Sequence, residues 1–117
     1  MKTFQNRAAQ GDLLIRRVEK LPANLTASLE SNRYIVAHSE TGHHHVIDVA
    51  PNVKFYPSKS FDKPSYLEVI EATDATEVVI RHLRLFDTHE SIKVPAGFFE
   101  IRNQREYTPE GWRRAQD

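Results

Sequence analysis

Short apolar or alternating runs, each closed by Gly, Pro, Asn or Asp, recur along this chain roughly every 10–15 residues. Residues 13–18, 33–38, 43–49, 53–56, 66–70, 76–85 and 98–102 are rich in β-branched and aromatic side chains and predict seven strands. Gly11-Asp12, residues 39–42, Pro51-Asn52, residues 57–64 and Pro95-Ala96-Gly97 supply the turns between them. Residues 86–92 read as a polar connection. The alternation marks Ile15, Val36, Ile47, Val69, Ile80, Leu83 and Phe99 as core positions. Thr108-Pro109-Glu110 combines a capping hydroxyl, a proline suited to the first helical position and a carboxylate that complements the dipole. It predicts one short helix ending near Ala115, with Trp112 packed on the body. The expected fold is therefore mostly β, a small antiparallel barrel or sandwich of about seven strands with a short C-terminal helix. Residues 1–10 read as a flexible N-terminal segment, 11–107 as the β domain and 108–117 as a helix or tail.

At 117 residues the chain has the length of one domain with one real core. Sixteen basic and sixteen acidic residues cancel, so no global field draws the protein to nucleic acid or to an anionic membrane. The absence of cysteine excludes disulfides, thiolate metal sites and cysteine nucleophiles. No export signal is legible at the start, and no stretch approaches the roughly 20 apolar residues that cross a bilayer. The expected location is the cytoplasm.

Chemistry concentrates in one place. Three of the six histidines stand in Thr41-Gly42-His43-His44-His45. On an extended strand His43 and His45 share one face and His44 takes the other, the arrangement by which one strand offers two imidazoles to one metal. His89-Glu90 is the best later source of further ligands. His43, His45, His89 and Glu100 are the candidate ligands of a divalent ion (zinc, iron or nickel), and Glu90 the candidate general base. Ligation needs neutral imidazole, so affinity is expected to fall as pH drops through about 6–7. The competing readings are a solvent-exposed histidine hairpin and an adventitious chelator. His82 shares a strand face with Val78 and Ile80 and reads as a partly buried, hydrogen-bonded structural histidine rather than a ligand. Asp12, Asp48 and Glu68 are carboxylates without distinguishing context, and no phosphate-binding glycine loop or nucleophile elbow is present.

His43-x-His45 followed by Pro95-Ala96-Gly97 resembles the cupin family of small β-barrels. That resemblance implies a metal held by His43 and His45, with Asp48 near the expected carboxylate. Glu100 stands where the family's last histidine would be, and the family's glutamate is missing here. Gln10-Gly11-Asp12, Thr41–His45 and Gln104-Arg105-Glu106-Tyr107-Thr108-Pro109 together resemble a family of small uncharacterised bacterial and phage proteins. In that family His89 would be the histidine preceding the P-x-G turn. The resemblance implies a common fold and phage or mobile-element company, and no activity.

The end of the chain interleaves Tyr107 and Trp112 with Arg102, Arg105, Arg113 and Arg114, offset by Glu100, Glu106, Glu110 and Asp117. A tail folded back on the body and a homo-oligomer interface both fit this composition; a nucleic-acid surface fits it less well. Two functions remain open: a metal-binding β protein, with metal-dependent catalysis as one use of the ion, and a phage-type structural or interaction protein that acts by assembly.

Overall fold

The computed structural model describes residues 1–38, 44–60, 62–83 and 90–103. Its ten strands form two five-stranded sheets packed face to face. In chain order they are β1 (Lys2–Thr3), β2 (Arg7–Gln10), β3 (Leu13–Val18), β4 (Arg33–Ala37) and β5 (His45–Asp48). β6 (Val53–Tyr56), β7 (Ser65–Val69), β8 (Val78–His82), β9 (Ile92–Val94) and β10 (Gly97–Asn103) follow. One sheet has the order β1-β9-β8-β5-β4, the other β2-β3-β10-β7-β6. Pairing is antiparallel except between β1 and β9. Hairpins β2–β3, β4–β5, β6–β7 and β8–β9 fall alternately in the two sheets, so every second hairpin completes the opposite layer. The fold is thus a sandwich. The sheets do not close into the barrel that a cupin-like reading implies.

All seven expected strands are present, 13–18 and 53–56 with the expected ends and the other five with shifted ones. The fifth stops at Val69 and leaves Ile70 more than half exposed. Three strands were not expected. β1 and β2 lie within residues 1–10, where Lys2, Thr3, Arg7 and Gln10 conceal strand character behind polar side chains. Each sits at a sheet edge, where an outward polar face costs little. β9 has only three residues, too short for its Ile-Lys-Val alternation to register against the polar stretch before it.

The core comes from the two inner faces. Leu13 and Ile15, Tyr34 and Val36, Val53 and Phe55, Leu67 and Val69, Val78 and Ile80, Ile92 and Val94, and Phe99 and Ile101 repeat at every second residue and are all buried. Strand β10 lies at the centre of its sheet, and Phe99 has no exposed surface. Leu83, expected in the core, is only half-buried. Ile80 and His82 take the inner positions of β8, so period two turns Leu83 outward. The expected helix at 108–117, with Trp112, lies outside the described residues. Among the described residues no helix is long and apolar enough to cross a membrane.

Candidate functional site

At one end of the sandwich four polar side chains are buried where the sheets meet: Gln10, Asp12, His45 and His82. Gln10 ends β2 and Leu13 opens β3 in direct register, leaving a two-residue hairpin of Gly11 and Asp12. Gly11 has φ of 59° while Asp12 keeps a negative φ. That is the signature of a turn with glycine at its first central position, which matches the strand twist and which a residue with a Cβ resists. The turn carries an amide on one side and a carboxylate on the other into the inter-sheet space.

His45 opens β5 in the opposite sheet and is 1% exposed. It pairs with His82 on β8, and the two rings stack with centroids 4.3 Å apart and planes within 1°. Gln10 reaches across from the other sheet. Its Nε2 donates to the carbonyl oxygens of Ile80 (3.1 Å) and Glu90 (3.0 Å). Because the amide nitrogen must face those two acceptors, Oε1 faces His45 Nδ1 at 2.7 Å. An amide oxygen only accepts, so His45 Nδ1 carries a hydrogen and donates it. Nε2 of the neutral ring is then the lone-pair nitrogen. It is buried, has no hydrogen-bond donor, and lies 3.5 Å from Asp12 Oδ1. A positive centre beside the carboxylate, a proton or a metal ion, would satisfy the orphaned histidine nitrogen.

Of the sequence-predicted site residues that are described, His45 stands in this cluster. His43 and His89 lie outside the described residues. Glu90 contributes backbone rather than carboxylate; its side chain is at the surface, 3.1 Å from the amino group of Met1. Glu100 is not brought to His45. Phe99 and Ile101 take the inner face of β10, so Glu100 and Arg102 take the outer one. There Glu100 is clamped by Arg16 from β3 and by Arg102. Burial pushes its carboxyl up, but the hydrogen bonds and charges of the two guanidinium groups outweigh burial and hold it below its ordinary value. Asp48, the carboxylate of the cupin comparison, is exposed and paired with Arg81 (2.8 Å). His44 is half-buried and off the inner face; its carbonyl accepts from Leu83 N–H, and its ring meets His38 edge to face. His82 is buried beside Val78 and Ile80, as its position on β8 predicts. Among the described residues no group of three His, Asp or Glu side chains is placed to hold one metal ion.

Gln10 and Asp12 are what the sequence reading missed. The available signal was Gln10-Gly11-Asp12 itself: a two-residue hairpin that holds an amide and a carboxylate on either side of its glycine. Nothing in the sequence states that this turn faces a histidine 35 residues further on.

A β-sandwich with a buried amide–imidazole–carboxylate cluster between its sheets is therefore the class that fold and site define. The chain belongs to the DUF8820 family, a domain of unknown function, whose model matches residues 9–104. The matched span contains Gln10, Asp12, His45 and His82. No curated protein and no solved structure matches the chain.

Proposed function

We propose that the protein binds a divalent metal ion between its two sheets, with His45 Nε2 and Asp12 as the ligands drawn from the described residues. One observation carries this: His45 Nε2 and Asp12 Oδ1 face each other at 3.5 Å while Gln10 holds the opposite ring nitrogen as a donor. Zinc–nitrogen and zinc–oxygen bonds near 2.1 Å at a tetrahedral angle put the two ligand atoms roughly 3.4 Å apart. The spacing fits a shared ion. The Gln10 contact is the outer support that ligating histidines ordinarily have: it fixes the tautomer and the ring plane. His43 and His89 are the proposed remaining ligands, each within two residues of an atom already in the cluster. The ion would join the β2–β3 turn of one sheet to β5 of the other, so binding strengthens the fold. If one coordination position stays open, the ion also supplies a Lewis acid. Glu100 and the Glu90 carboxylate have no part in this site.

Elemental analysis of protein made without an affinity tag tests the reading, combined with urea unfolding with and without added zinc. The wild type is expected to retain metal in near-stoichiometric amount and to gain stability from zinc. Asp12→Asn keeps the shape of the turn and removes the charge; it and His45→Gln should lose both effects, while His44→Ala keeps them. Equal loss in His44→Ala would identify the histidine run as an adventitious chelator. A wild type that neither retains metal nor gains stability would leave a buried imidazolium–carboxylate clasp, with the proton in the ion's place.

A further inference from the structure

The sandwich is open on the side where β4 ends one sheet and β6 ends the other. A pocket of about 390 Å³ lies there, walled by β4, β6, β7 and β10 and by Pro57, Ser58 and Lys63. Its apolar walls are Val36, Phe55 and Ile101. Its polar rim includes Lys63, His38 and Ser65. Among the described residues no Asp or Glu lines it, although acids and bases are equal in number over the chain. Lys63 has no ion-pair partner among the described residues. Its sequence neighbour Asp62 accepts a hydrogen bond from Ser60 Oγ at 2.6 Å. Arg102, a further lining residue, is already committed to Glu100. A pocket of this volume takes a small molecule rather than a polymer.

We infer that this pocket binds a small organic carboxylate. The ligand's apolar body lies on Phe55, Val36 and Ile101, and its charge lies at the rim against the Lys63 ammonium. The chemistry follows from the lining. Apolar walls favour a ring or short aliphatic body, and a one-signed polar rim selects a negative head group. A neutral molecule of the same shape would gain no charge-assisted contact at the rim. The pocket adjoins the histidine cluster: Ala37, in its wall, is the register partner of His45, and Asn103 is that of Leu13, next to Asp12. The binding claim does not depend on a metal in that cluster.

The test is a two-dimensional amide NMR titration of the whole chain, stripped of metal by chelation, with benzoate as the probe. Benzamide serves as its neutral shape match. Benzoate is expected to shift the amides of Ala37, Phe55, Ser58, Ser65 and Ile101 saturably, and to bind about tenfold more tightly than benzamide, which is the size of one charge-assisted contact. Lys63→Gln should lose that tenfold preference, and Lys63→Arg should restore it. Because Lys63 is exposed, neither variant threatens the fold, and the spectrum of the free protein reports that directly. Equal binding of benzoate and benzamide, shifts scattered over surface arginines without saturation, or an unchanged preference in Lys63→Gln would each overturn the proposal. Metal stripping separates its failure from that of the metal reading, which the zinc experiments address alone.

Discussion

Replacing Gln10 with leucine removes a side chain that hydrogen-bonds across the sheets at the histidine cluster. Three bonds go at once: from His45 Nδ1–H to Oε1, and from Nε2 to the carbonyls of Ile80 and Glu90. Each is worth about 1 kcal/mol net, and each partner left behind is a polar group in a space where Gln10 itself is 2% exposed. Leucine fills a similar volume, so the cavity contribution is small and some apolar transfer energy returns. The balance is a loss of about 3 kcal/mol or more, against a total stability of about 5–15 kcal/mol for a single domain. Urea unfolding followed by circular dichroism reads this as a lower midpoint with an unchanged slope. In thermal unfolding it corresponds to a melting temperature lower by about 12 °C. His45 would also lose its fixed tautomer, so zinc stabilisation should weaken in the variant by more than in a control such as His44→Ala. A loss under about 1 kcal/mol would refute the reasoning, because it would mean that the Gln10 bonds are not made in solution.

Glu100→Gln should cost about 1 kcal/mol at neutral pH, since its clamp is half in solvent on the arginine side. The carboxyl is held below its ordinary value of 4.5, so its contribution is present above that pH and fades as acid protonates the folded protein. Wild type and variant should therefore converge in urea midpoint as the pH falls from 4.5 through the lowered value of the folded carboxyl. Gly97→Ala should destabilise by about 1–3 kcal/mol. Its φ is 142°, and an added Cβ would fall 2.1 Å from Arg17 Nη1. That displaces the guanidinium from the Ala96 carbonyl and from the face of Phe99, a loss the urea midpoint will show. Phe99→Ala should cost about 3–5 kcal/mol in the same assay, because the ring is wholly buried in the central strand and meets Phe4 edge to face.

How legible this molecule was depends on which forces act locally. Strands such as Leu13–Val18 and Val53–Tyr56 bury alternate apolar residues, and period two survives in the sequence however the sheets are arranged. Six of the seven expected core residues are buried. Leu83 departs because a histidine, His82, occupies the inner position that an apolar count would pass over. Edge strands were hidden. Arg7–Gln10 pairs on one side only and carries arginine, alanine and glutamine, which say nothing of a sheet until its partner β3 is present. At the site, the histidine run pointed to His45 by the chemistry of its residues alone. Gln10 and Asp12 carried no such mark, because their burial is created by the opposite sheet. Glu100 was misjudged for a related reason. Its distance from the Pro95-Ala96-Gly97 turn matches a ligand position in a barrel, but in this sandwich it falls on the outer face of β10, where two arginines take it up.

The account turns on the two ring nitrogens of His45, and nitrogen-15 NMR of the imidazole side chains reports each of them directly. In metal-free protein, Nδ1 should appear protonated and coupled to a hydrogen bond. One equivalent of zinc should move the His45 Nε2 resonance to the range of a metal-bound imidazole and leave Nδ1 protonated, with the change absent in Asp12→Asn. A His45 Nε2 signal that does not respond to zinc, or a ring whose Nδ1 carries no hydrogen, would contradict the account.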